Sequence, residues 1–125
     1  MESKLKEILS AINTEIAGAI GSSIFEINSG LSLASHSNRV GLDFSIVAAY
    51  NAEVVKQKKK ALTALNFANE DIDEFMITLT SQIHVIKAIN KDTYLYISVD
   101  SSISNIGMIK VVLNKHASAF KQIIG

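Results

Sequence analysis

A chain of 125 residues, 48% hydrophobic and 19% charged, has enough apolar content to bury a core, and it lies far from the low-hydrophobicity, high-charge balance of disordered segments. Its 12 basic and 12 acidic side chains cancel, so no overall field draws it onto nucleic acid or an anionic membrane. The absence of cysteine excludes a disulfide framework, a thiolate nucleophile and Cys-rich zinc sites.

Leu5, Ile8, Leu9 and Ile12 recur at helical spacing, and Lys4, Lys6 and Glu7 lie off that stripe, which predicts an amphipathic helix from about residue 3 to 13. These charges also break up any continuous apolar run of the kind a signal peptide needs, and no stretch approaches membrane-spanning length. The expectation is a cytoplasmic protein without membrane insertion. Ala17 to Ile27 reads as a strand that stops at the hairpin residues Asn28, Ser29 and Gly30. Leu31 to Ser35 alternates as a second strand before a polar stretch from His36 to Gly41.

Asp43 to Asn66 carries the longest helical pattern, with Asp43 as the expected N-cap and Asn66 to Asn69 as a polar exit. Three strands follow as an antiparallel meander: Ile72 to Thr80, Ile83 to Ile89 (apolar on both faces) and Thr93 to Val99. Ile106, Ile109, Leu113, Ala117, Phe120 and Ile124 then draw an apolar stripe along a closing helix. With no proline, linker or repeat, the reading is one domain over residues 1–125. Its fold class is α/β of the α+β type: a five-stranded antiparallel sheet with helices on both faces, order αββαβββα.

On a helical wheel the apolar set of the long helix is too wide for one sheet. Phe44, Ala48, Ala52, Val55 and Leu62 form one lobe; Val47, Tyr50, Val54, Ala61 and Leu65 form another, with Asn51 and Lys58 between. The first lobe is expected to cover the helix's own sheet and the second to meet a partner's helix, although a broad concave sheet could absorb both. The strand from Ile72 to Thr80, carrying Phe75, Met76, Ile77 and Leu79 with no proline, would invite uncontrolled pairing if left as a bare edge. Pairing with its own copy through Phe75 and Ile77 removes that hazard.

Catalytic and cofactor chemistry finds no foothold. His36, His84 and His116 fall in a loop, a strand and a helix, without the i, i+4 spacing of helical metal sites. Asp71, Asp73 and Glu74 lack the loop pattern of a calcium site and read as a solvated strand end. No phosphate-loop or Gly-x-Ser-x-Gly pattern is present. The expectation is therefore a non-enzymatic protein with no cofactor and no metal. Lys56, Lys58, Lys59 and Lys60 form the one dense basic cluster, and without aromatic residues interleaved it does not read as a nucleic-acid site. A solvated helix face and an electrostatic patch for a protein partner both remain open.

Ser29-Gly30-Leu31-x-Leu33-Ala34-Ser35 entering the second strand, and Asp100 followed by Asn105-Ile106-Gly107 before the last helix, together with the element order, resemble roadblock domains over nearly the whole chain. The turns of the meander lack the glycines often found in relatives. The resemblance implies a roadblock/profilin-like sheet and a dimer, homodimeric or with a paralogue, in which the second helices lie side by side and the third strands pair. It further implies binding and regulating or localising a Ras-like small GTPase, or docking onto motor and cytoskeletal machinery. A small-ligand sensor is a third reading. Lys56, Lys59, Lys60 and Arg39 are the partner-binding candidates. Arg39, the single arginine, would have to supply any arginine finger, but surface-loop arginines are common and a regulator can act by repositioning the GTPase's own residues.

Overall fold

In the computed structural model, which describes residues 1–125, the chain runs α1 (Glu2–Glu15), β1 (Ala19–Glu26), β2 (Ser32–Ser37), α2 (Ala48–Ala64), β3 (Glu74–Thr78), β4 (Gln82–Ala88), β5 (Thr93–Asp100) and α3 (Ile106–Ile124). The strands make one antiparallel sheet ordered β2-β1-β5-β4-β3. This is the αββαβββα arrangement expected from the sequence, with helices on both faces. No helix is long and apolar enough to cross a membrane.

Two-residue alternation sends each strand's side chains to opposite faces. Leu95, Ile97 and Val99 of β5 point to the side of α1 and α3, where they meet Leu5, Leu9 and Ile12 of α1 and Ile109, Leu113 and Phe120 of α3. Tyr94 and Tyr96 point the other way, into a cluster with Phe25, Ile86 and the Ala48, Ala52 and Val55 face of α2. Each fully buried side chain of this size contributes roughly 1.5–3 kcal/mol, so the two clusters are what hold the layers together. Asn13, almost fully buried, is tolerated within α1 because its side-chain amide donates to the Leu9 carbonyl and to Ser22 of β1.

Two glycines have steric reasons. Gly30 takes a φ of +72° in the β1–β2 hairpin, a conformation that costs L side chains energy. Gly21 leaves room for the ring of Phe44, which a Cβ at that position would strike.

Several boundaries differ from the expectation. The long helix begins at Ala48 rather than after Asp43, because the Asp43 carboxylate accepts from the backbone N–H (2.9 Å) and hydroxyl (2.6 Å) of Ser45 and closes a local turn. Val47 is the N-cap and offers no side-chain cap. The helix ends at a Schellman motif: Asn66 has a φ of 64°, its N–H donates to the Thr63 carbonyl at 3.1 Å, and the Phe67 N–H donates to that of Leu62 at 2.7 Å. β3 is shorter than Ile72 to Thr80, and β2 runs on through His36 and Ser37 by pairing with Ser22 and Gly21. His36 is therefore a strand residue and not a loop residue. In α3 Val112 is buried while Ile106, at the first turn, is 40% exposed.

Candidate interaction surface

α2 approaches the sheet with its smallest side chains. Ala48, Ala52 and Val55 are its buried residues, which seats the helix axis close to β1 and leaves the opposite side of the cylinder in solvent. On that side Tyr50 is 76% exposed, Val54 40% and Leu65 60%, and Ala61 is exposed as well. Ile46, in the turn before the helix, is 69% exposed and lies four residues ahead of Tyr50. The series Ile46, Tyr50, Val54, Lys58, Ala61, Leu65 follows steps of three and four, the spacing of one helical stripe. Ile46 was missed in the sequence reading, although its i−4 relation to Tyr50 was a sufficient signal.

Of the other expected interface residues, Val47 is half-buried and leans on the chain's own core, so it contributes its flank only. Asn51 is half-buried, and its side-chain Nδ2 lies buried without an acceptor, a position that costs about 1–3 kcal/mol when left unmet. Lys58 is exposed in the middle of the stripe.

β3 is an edge strand, hydrogen-bonded to β4 alone. The Ala88 N–H donates to the Asp73 carbonyl at 2.8 Å and the Leu79 N–H to the Gln82 carbonyl at 2.8 Å. Antiparallel alternation then turns the backbone groups of Glu74, Met76 and Thr78 outward, free to pair with another strand. Ile77 is 41% and Leu79 47% exposed beside this edge. Phe75 is half-buried and packs into the chain's own α2-side cluster, opposite Ile86, so it offers less free surface than Ile77.

Beneath Ile77 on the same face lies a small polar network. His84 Nε2 meets Gln82 Oε1 at 2.8 Å, Tyr96 Oη meets His84 Nδ1 at 3.3 Å, and the Ser98 hydroxyl donates to Gln82 Oε1 at 2.9 Å. Burial pushes the His84 pKa below its ordinary value and, again as the main cause, the Tyr96 pKa above its own. Both shifts favour the neutral form where the rings border the candidate surface.

The basic candidates do not form one patch. Lys56 Nζ donates to the Asn28 carbonyl at 3.5 Å and Lys59 Nζ to the Lys91 carbonyl at 3.4 Å, which lays these side chains over the turns at one end of the sheet. Lys60 projects into solvent. Arg39 lies at the other end, where its charge helps lower the pKa of Asp100, the last residue of β5; hydrogen bonds from Ser102 are the main cause of that shift. The length of β5, about 25 Å at ~3.3 Å per residue, separates them. The three histidines stay apart too: His36 bonds Asn38, His84 joins the network above, and His116 meets Glu15 at 3.2 Å. Asp73 pairs with the mostly buried Lys87 at 3.4 Å and Glu74 with Lys110 at 3.0 Å, so the acidic strand end serves local ion pairs.

Comparison with known proteins places this architecture. No family model and no curated protein matches the sequence. Among solved structures, MglB of Myxococcus xanthus superposes with a TM-score of 0.84 at 12% identity, over 97% of this chain and 87% of that one. A Roadblock/LC7 domain from Streptomyces avermitilis gives 0.79 at 13% identity, over 94% and 95%. An MglB described as having a tetrameric arrangement gives 0.83 at 16% identity, over 98% and 88%. At such identities the likeness is one of fold, and the fold is that of the roadblock/LC7 domain.

Proposed function

We propose that this chain, with its roadblock fold, is a non-enzymatic cytoplasmic platform of one domain, residues 1–125, in which two copies join through α2 and β3 and the joined surface binds a Ras-like small GTPase, regulating its nucleotide cycle or its location. The observation that carries this reading is the solvent-facing apolar stripe of Ile46, Tyr50, Val54 and Leu65 alongside an edge strand with an unused ladder. One chain has nothing to cover that stripe, and a second copy brings a matching stripe and a matching edge by two-fold symmetry. A partnership with a paralogue would use the same elements. The tetrameric arrangement of an MglB supports self-assembly as a property available to the fold. The GTPase partner is supported by the roadblock resemblance, with Lys56, Lys59 and Lys60 as the charges that would meet it; Arg39, at the far end of the sheet, would touch it through a separate contact.

Light scattering at micromolar concentration tests the assembly, with a mass of two chains expected. Titration with a Ras-like GTPase loaded with GDP or a non-hydrolysable GTP analogue tests the partner. A complex that forms with one nucleotide state and not the other is the expected result. Equal binding to both states would favour a structural or motor-associated adaptor, and a strictly monomeric chain would remove the platform.

A further inference from the structure

Away from the α2 stripe, a cleft of about 490 Å³ opens where the C-terminal half of α2, the loop to β3, the β4–β5 turn and the end of α3 converge. That volume lies in the range of small-ligand sites. Its floor is apolar, formed by Leu62, Ile72, Ala88, Ile89 and the ring of Tyr94. Its walls carry both charges: Lys59 from α2, Lys91 from the turn and Lys121 from α3, against Glu70, Asp71 and Asp73 from the loop. Asp73 pairs with Lys87 and Lys59 reaches the Lys91 carbonyl, while Lys91, Lys121, Glu70 and Asp71 make no ion pair. Opposite charges that face one cleft without neutralising each other are complementary to an occupant that carries both.

Tyr94 adds an independent observation. The residue is only 2% exposed and its ring stacks on Phe25 at 6.2 Å. Tyr96 next along the same face finds His84; Tyr94 lines the cleft, and its hydroxyl makes no hydrogen bond within the chain. The hydroxyl is not sealed from solvent, so water serves it in an empty cleft and an occupant of the cleft would take that water's place. Burial, with the charges of Asp71 and Asp92 adding to it, raises the pKa of this phenol and keeps it protonated. Its oxygen lies in a negative field, which suits a cationic group.

We propose that this cleft binds a small zwitterion, an amino acid being the simplest of the class, its ammonium over the Tyr94 oxygen beside Asp71 and its carboxylate reaching Lys59, Lys91 and Lys121. The site goes beyond the platform reading and shares only Lys59 with it, so a chain carrying Val54→Asp on the stripe would keep ligand binding even where assembly is lost.

Isothermal titration of the full chain with each standard amino acid, and with inorganic phosphate and methylammonium as single-charge probes, tests the proposal. Saturable binding of at least one amino acid is expected, with neither single-charge probe saturating. Tyr94→Phe keeps the stacked ring and removes the hydroxyl, and Lys121→Met removes an exposed charge; each is expected to weaken binding about tenfold, the scale of one lost hydrogen bond or charge contact. No saturable binding by any amino acid would overturn the proposal. So would phosphate binding as tightly as the best amino acid, or undiminished binding in the Lys121→Met chain.

Discussion

The two faces of the sheet are covered to different degrees. On one, α1 and α3 lie side by side and bring long aliphatic and aromatic side chains onto the sheet, α1 over β1 and β2, closing a layer around Leu9, Leu95, Leu113 and Phe120. On the other, a single helix crosses with two alanines and a valine as its buried residues, and aromatic side chains from the sheet and the preceding turn fill the space beneath it. One face is finished within the chain; the other ends in an apolar stripe and an unpaired edge. Met108 and Val111 of α3 are exposed too, but on the α2 side exposed apolar residues follow one helical stripe over several turns, so the contrast teaches that stability and recognition are drawn from different layers.

Substitutions break this comparison in order of size. Phe120→Ala in the closed layer is expected to cost about 3–5 kcal/mol, read as a lower midpoint in urea unfolding, because a large fully buried ring leaves a cavity that flanking residues cannot fill. Gly21→Ala forces a methyl group against Phe44 on the open face and is expected to cost about 1–3 kcal/mol by the same measurement. An equal or larger loss for Gly21→Ala would show that the open face carries as much stability as the closed one. On the exposed edge, Thr78→Pro deletes an N–H that faces away from β4, so the single chain is expected to change by no more than about 0.5–1 kcal/mol. Its solution mass is nevertheless expected to fall to one chain. A mass unchanged from the parent would separate the edge from the assembly surface.

The closed layer was the part legible in sequence. Leu5, Leu9 and Ile12, and Ile109, Leu113 and Phe120, keep a strict helical period because two helices must each offer one stripe to a sheet, and the period survives in the residue string. The open face was legible as a surplus, since Tyr50, Val54 and Leu65 stand where no single sheet needs them. Less legible were side-chain placements that depend on local competition. Asp43 has the composition of an N-cap, but its carboxylate is claimed by Ser45 two residues on, and the helix starts later. Phe75 lies on the apolar edge strand, yet the space beside the small residues of α2 draws its ring inward. The separation of Arg39 from the lysines follows from antiparallel register, which brings the end of β2 beside the end of β5 and which spacing along the chain does not encode.

A pH titration sharpens the contrast with the smallest effects. On the open face, burial lowers the pKa of His84, which faces Gln82, Tyr96 and Ile77, with no carboxylate among its partners. On the closed face, Glu15 joins α1 to Lys115 (3.2 Å) and His116 (3.2 Å) of α3, and the hydrogen bond from Lys115 is the main cause that lowers its pKa. Both pKa values lie below those of the unfolded chain, so in each window the unfolded state binds more protons and acid weakens the fold. The His84 contribution is full above about pH 6.5 and declines below it; that of Glu15 is full above about pH 4.3 and declines only further down. Between those values amide exchange in β3 and β4 is expected to quicken while α1 and α3 stay protected, and His84→Gln is expected to flatten that first step alone. Simultaneous loss of protection on both faces would mean that the sheet transmits each disturbance across its thickness, and the division between a finished and an open layer would not survive it.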